Sequence, residues 1–217
     1  IDLSVNGGGS SAAALYLLSV MTGQDYLPEY GVKTGNLLKE TAQIDTDLNG
    51  TVDQKDAVRY DFRFALLTTR FSFSCGNLVP VLAKDKGIVL LGENSGGGTC
   101  MLSQPTLAAG LPYAVSGTLM MTHEDGTDVD SGAAPHYTLV SSETDDIISF
   151  QKLYDMDMIQ KDIDDFYTNG APQSQTVLVL SREESVFALL VIGAALLIGT
   201  AAVVLIVRLK KRRDSNR

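Results

Sequence analysis

Hydrophobic and polar positions change rhythm several times along this chain, and each change marks an element. Residues 1–5 (IDLSV) alternate weakly and run into Asn6, Gly7, Gly8 and Gly9. Ser10 then opens an apolar run of helical character, SSAAALYLLSVMTG, with Leu15, Leu18 and Val20 available for burial and Gly23 as its stop. Residues 64–87 read as a strand, a tight turn carrying Ser72 and Ser74, and a helix that ends at Gly87. The unbroken apolar run 88–91 (IVLL) suits a buried strand. The segment up to Tyr113 holds Pro105 and Pro112, shows little periodicity and reads as loop. Residues 114–121 form a further strand, 123–132 a polar hairpin-like turn, and AAPHYTLV leads into a last short strand. Apolar residues then recur near helical spacing over 142–168 (Ile147, Ile148, Leu153, Met156, Ile159, Ile163, Phe166), with Ser142 and Asp145 as a capping box. Gly170, Ala171 and Pro172 break that helix. Strand, turn and helix in repeated order predict an α/β fold.

Residues 24–63 interrupt the rhythm: they are polar and uneven, and read as an insertion. Within them, DTDLNGTVDQKD follows the template of a helix–loop–helix calcium site. Asp45, Asp47 and Asn49 occupy the first three side-chain positions, and Gly50 the sharp turn. Thr51 offers its carbonyl, Asp53 binds through water, and Asp56 stands where a longer glutamate is usual. The shorter carboxylate predicts modest affinity, on the order of 0.1–1 mM. Helices over 35–44 and 54–59 are expected to flank the loop. The competing reading is a solvated acidic turn without metal.

Residues 186–207 contain no charge and are nearly all apolar, long enough to span a bilayer. The following tail, 208–217, holds six basic residues and one acid, and is expected on the cytoplasmic side. The net charge of the whole chain is −9, so everything before that tail carries −14. An acidic body of this kind speaks against nucleic acid as a partner, since phosphate binding needs clustered Lys and Arg. It is expected outside the cell, where calcium is plentiful. The chain opens on Ile1 within an apolar run and reads as the C-terminal part of a longer protein. Its organisation is then 1–23 and 64–140 for one core, 24–63 the insertion, 141–170 a C-terminal helix, 171–185 a linker, 186–207 the membrane span and 208–217 the tail.

Candidate chemistry centres on Ser74. A serine at a strand-to-helix turn exposes its hydroxyl beside unpaired N–H groups, which favour developing negative charge. It could equally be a plain helix N-cap. The glycines at 7–9 let the backbone approach closely and aim N–H groups at an anion. They do not spell GxGxxG, and no acidic ribose reader follows, so a dinucleotide site is rejected.

Four pieces stand in one order: DLSVNGGG, FSFSCGN before a helix, IVLLGENSGGGTC, and DSGAAPHYTL. This arrangement resembles the serine peptidases of the carboxy-terminal-processing (tail-specific) and tricorn type over residues 1–140. The resemblance implies a crotonase-like spiral of ββα units, with the calcium loop inserted and a transmembrane helix appended. It implies Ser74 as the nucleophile. Gly8 or Gly9, with the Ser74 N–H, would form the oxyanion hole, where losing one donor typically costs about 3–4 kcal/mol. It also places the Ser74 turn near the GGG loop, so that Cys75 and Cys100 are either a disulfide across them or two small buried thiols. Cys75 as nucleophile is set aside, because Ser74 holds the matched position. The pattern departs at the general base. The loop reads Gly96, Gly97, Gly98 where the processing peptidases carry lysine; Lys84 and Lys86 sit at the far end of the Ser74 helix. His123 and His136 are the chain's two histidines, and the tricorn-type histidine would fall before Ile1. Either the base lies upstream, or the domain is an inactive relative that binds peptide at the cell surface. The implied partners are a peptide or protein substrate and the lipid bilayer, with Ca2+ as a structural ion and no organic cofactor.

Overall fold

Apolar strand 88–91 and the helix before it decide the architecture, because both must be covered on more than one side. In the computed structural model, helix α2 (Cys75–Asp85) has Leu78, Val79, Val81, Leu82 and Ala83 all buried. Strand β4, in chain order after β1 (Tyr26–Gly31), β2 (Leu37–Thr41) and β3 (Ala65–Thr68), spans Val89–Gly92 and is buried throughout. It lies between β3 and β7 (Tyr137–Thr138) in a three-stranded sheet, parallel to both. A parallel strand covered on both faces loses the apolar–polar alternation, which is why this one reads as a continuous run. Its side chains alternate between two cores. Leu90 joins Leu15, Leu18, Leu78 and Leu82 under helices α1 (Ser11–Thr22) and α2; Val89 and Leu91 join Leu139, Val140, Leu153 and Ile159 on the other side. The opening residues add to this sheet through a parallel bridge between Asp2 and Leu67.

The structure describes residues 1–56, 60–140 and 151–172, all within the unit Ile1–Pro172. As the sequence suggests, α1 ends at Gly23, whose φ of 76° lets its N–H reach Ser19 O at 2.8 Å. The unit differs from expectation in three places. The stretch read as an insertion supplies β1 and β2, and residues 37–41 are strand, not a helix flanking the loop. Residues 35–44 offer no apolar stripe to bury, whereas antiparallel pairing with Tyr26–Tyr30 satisfies their backbone. The segment read as loop holds β5 (Cys100–Ser103), which pairs with β6 (Val115–Met121) and completes a four-stranded sheet of order β2-β1-β6-β5. Of the helix expected over 142–168, the described part begins at Gln151, and there α3 spans Met156–Asn169. The Asp155 carboxylate caps it by accepting from Met158 N at 3.1 Å, and a short 3-10 turn, Gln151–Tyr154, precedes it. The Ser142–Asp145 capping box lies outside the described residues.

No helix among the described residues is long and apolar enough to cross a membrane. The expected span, 186–207, lies outside them, as do the tail 208–217 and linker residues 173–185.

Two substitutions separate the buried strand from the exposed one. Leu91→Ala is expected to cost about 2–5 kcal/mol, while Leu38→Ala on β2, which is 43 % exposed, should stay within about 0.5 kcal/mol. Urea unfolding midpoints measure both.

Candidate active site

Ser74 sits at the end of the β3–α2 connection with φ 56° and ψ −125°, a left-handed conformation that a residue with a Cβ avoids. Such a conformation costs of order 1–3 kcal/mol and persists only where its surroundings impose it. Three loops do so here. Phe73 N–H donates to Asn6 O at 3.0 Å, Ser74 N–H to Gly97 O at 2.9 Å, and Gly96 N–H to Ser72 O at 2.8 Å. Ser72 is fully buried and holds the turn from below, its Oγ donating to Leu3 O at 2.7 Å and accepting from Thr69 N at 3.0 Å. The plain N-cap reading fails in its simple form: Ser74 makes no side-chain capping bond to α2.

The glycine turn touches the serine directly. A Cβ on Gly8 (φ 94°) would stand 2.6 Å from Ser74 Cβ and 2.6 Å from Phe73 O, so only glycine permits this approach. The GGG loop is fixed in the same manner: at Gly97 a Cβ would fall 2.1 Å from Asp130 O. The sequence expected the N–H groups of Ser74 and of Gly8 or Gly9 as anion donors. In the structure Ser74 N–H is taken by Gly97, and Gly8 N–H donates to Asn6 Oδ1 at 2.8 Å. Among the described residues, no oxygen accepts from the N–H of Gly9 or of Cys75, the first residue of α2. The Cys75 amide was not singled out from the sequence; its position one residue after the strained serine, at a helix start, is the signal that could have found it.

Ser74 is half-buried and lines a cavity of about 700 Å³. Gly7, Gly9, Phe73 and Cys75 form one side of it, and Gly98, Thr99 and Asp130 another. The far wall comes from the antiparallel sheet: Leu27 and Glu29 of β1, Met101 and Leu102 of β5, Ser116 and Met121 of β6. Cys75 and Cys100 both face this cavity as free thiols. Burial pushes the Cys75 thiol up, while the Gly9 backbone and the Ser74 hydroxyl pull it partly back, so it stays protonated and weakly nucleophilic near neutral pH.

Two further links hold the loops in place. The Arg70 guanidinium forks onto Glu93, with Nη2 2.9 Å from Oε1 and Nε 3.1 Å from Oε2. Asn77, buried on α2, accepts from Ser95 Oγ at 2.6 Å and donates to Val129 O at 3.0 Å.

No lysine, arginine or histidine among the described residues lines the cavity. The bases considered from the sequence are engaged elsewhere. Lys84 donates to Ala134 O and Lys86 pairs with Glu124. His123 lies 2.6 Å from Asp85, in a separate surface pocket. His136 Nδ1 accepts from Leu90 N at 3.0 Å, and burial, then the Lys84 charge, hold that imidazole below its ordinary pKa.

The acidic loop brings three of its six candidate ligands together: carboxylate oxygens of Asp45, Asp47 and Asp56 lie within 4.8 Å of one another. Asn49 Oδ1 instead accepts from Thr51 N, and Asp53 Oδ1 from Lys55 N. Asp45 accepts from Gly50 N at 2.7 Å, which closes the turn at the glycine. Asp56 is buried and accepts from the N–H groups of Thr46, Asp47 and Asp53; these bonds, Asp53's foremost, hold its carboxyl below the ordinary range. Thr46 O accepts in turn from Tyr16 of α1 at 3.2 Å, which ties the loop to the core.

A family model, peptidase family S41, matches residues 1–139. No curated protein sequence matches the chain. Among solved structures, a lipoprotein from Streptococcus agalactiae superposes with a TM-score of 0.53 at 20 % identity, over 74 % of this chain and 53 % of that one. Mature CPAF, solved in complex with lactacystin, gives 0.54 at 17 % identity, over 78 % and 44 %. At such identities the likeness is one of fold, and the chain spans about half the length of these relatives. The strained serine, the glycine turn against it and the family match over the same residues agree: the chain belongs to peptidase family S41.

Proposed function

We propose that this chain carries the nucleophile and the anion-binding part of a serine peptidase that hydrolyses peptides or proteins. The observation that carries the reading is Ser74 held at positive φ on a cavity wall, with Gly8 packed against its Cβ. Ser74 Oγ forms a bond to the substrate carbonyl carbon, and the π pair moves to oxygen. The N–H groups of Gly9 and Cys75, uncommitted to other oxygens, receive that oxyanion. The hydroxyl proton passes to a base and on to the leaving amine, and water then releases the acyl group. The base comes from outside the described residues that line this cavity. The α/β core is part of a crotonase-type ββα spiral. Residues 186–207 anchor the protein in a bilayer with the tail 208–217 cytoplasmic, which sets the peptidase unit outside the cell. A second reading, an inactive peptide-binding module at the cell surface, is favoured by the lack of a histidine or lysine on the cavity among the described residues.

The same reading gives the acidic loop a calcium ion, held by Asp45, Asp47, Asn49, Thr51, Asp53 and Asp56. The convergence of three carboxylates supports it. Bound there, the ion would neutralise those charges and stiffen the loop that Thr46 ties to α1.

Protein isolated from its native source should be labelled by a fluorophosphonate probe, and the label should disappear in Ser74→Ala. Labelling of neither form with calcium present, while peptides still bind, selects the binding module. Calcium titrated to the millimolar range should raise Tm in the parent but not in Asp45→Asn, and a flat response in the parent removes the ion. Without calcium, Asp56 stabilises the fold in its ionised form, because its native pKa is depressed. That contribution is complete above its unfolded pKa of about 3.9 and fades as pH falls through the native value. Asp56→Asn should therefore melt earlier than the parent at pH 7, with the gap closing towards pH 2 in calorimetric scans.

A further inference from the structure

Glu29 is the one charged side chain of the antiparallel sheet's β1 that faces the Ser74 cavity, and it is only 6 % exposed. It sits opposite Met121 in the β1–β6 register, in the wall facing Ser74. A buried carboxylate normally has a cation or N–H donors to offset its lost hydration. Among the described residues none donates to the Glu29 side chain; the group within hydrogen-bonding reach is a second carboxylate, Glu40. Burial first, and the Glu40 charge second, push the Glu29 carboxyl up. Asp130 adds a further acid to the same cavity, its Oδ1 accepting from Gly98 N. Leu27, Met101 and Met121 line the same cavity and suit a methylene stem. We infer that Glu29 is a specificity-determining residue that receives the cationic end of a substrate lysine or arginine near the scissile bond.

This inference rests on the Ser74 cavity being where peptide binds. A substrate ammonium or guanidinium would supply the missing countercharge, and its aliphatic stem would cover Leu27 and Met121. The pairing acts on binding, so the chain's preference should appear without turnover.

The test uses the full chain carrying Ser74→Ala and fluorescein-labelled polyalanine octapeptides with one central lysine, norleucine or glutamate, read by anisotropy. The lysine peptide should bind about tenfold more tightly than the norleucine peptide, as for a hydrogen bond to a charged group, and the glutamate peptide most weakly. Glu29→Gln keeps the shape and removes the charge; it should level lysine with norleucine and leave the norleucine affinity unchanged. Equal affinities for lysine and norleucine in the Ser74→Ala chain, or a lysine preference that survives Glu29→Gln, overturns the inference, as does failure of all three peptides to bind. Should the Gln variant fold poorly, the lysine-to-norleucine ratio in the parent background decides alone. Loss of the hydrolytic reading would show separately, as absent fluorophosphonate labelling with the lysine preference intact.

Discussion

The site exists because two stretches of backbone touch where one side chain is missing. Gly8 lies against Ser74 Cβ and Phe73 O at a separation that any Cβ would turn into a clash. Beside that contact lie the Phe73–Asn6 bond and the start of α2 directly after Ser74. The left-handed geometry of Ser74 is unfavourable by itself. It holds because the glycine turn, the GGG loop and buried Ser72 each bond to the same few residues. Stability gained in the two cores offsets the cost of holding this one residue at positive φ.

Those cores are arranged to hold the loops still. Strand β4 divides its side chains between the helical layer and the α3 side, so the loop that follows it leaves from a fixed point. The Arg70–Glu93 fork then joins the turn after β3 to the loop after β4, and Asn77 with Ser95 joins α2 to that loop. These are buried or partly buried polar links between loops. They therefore set position more than they add net stability.

The cavity has a second parent, the antiparallel sheet. Its strands β1 and β5 come from stretches that look like an insertion and a loop, yet they carry Leu27, Glu29, Met101 and Leu102 to the wall facing Ser74. Among the described residues that wall carries Glu29 and no cation, and it lines the same cavity as the strained serine. The acidic loop of Asp45, Asp47 and Asp56 contributes no residue to that cavity and is tied to α1 through Tyr16 and Thr46.

Local pattern was enough to foresee the apolar helices, the buried strand 88–91, Gly23 as a stop and the Ser74 turn, because each depends on neighbours within a few residues. The order of the glycine-bearing motifs was likewise legible, and with it the family. Strands β1, β2 and β5 were not, since short, exposed or polar strands gain their stability from partners distant in the sequence. The start of α3 turned on one capping carboxylate, Asp155, rather than on periodicity. That Ser74 N–H donates to Gly97 O and Gly8 N–H to Asn6 Oδ1 could be seen only once the loops were in place. Glu29 gave no signal in the sequence, because a lone acid on a strand acquires meaning only when folding buries it beside a cavity without a countercharge. The sequence decides which groups exist and how nearby backbone bends; long-range pairing decides which of those groups are left uncompensated, and uncompensated groups are the ones that bind.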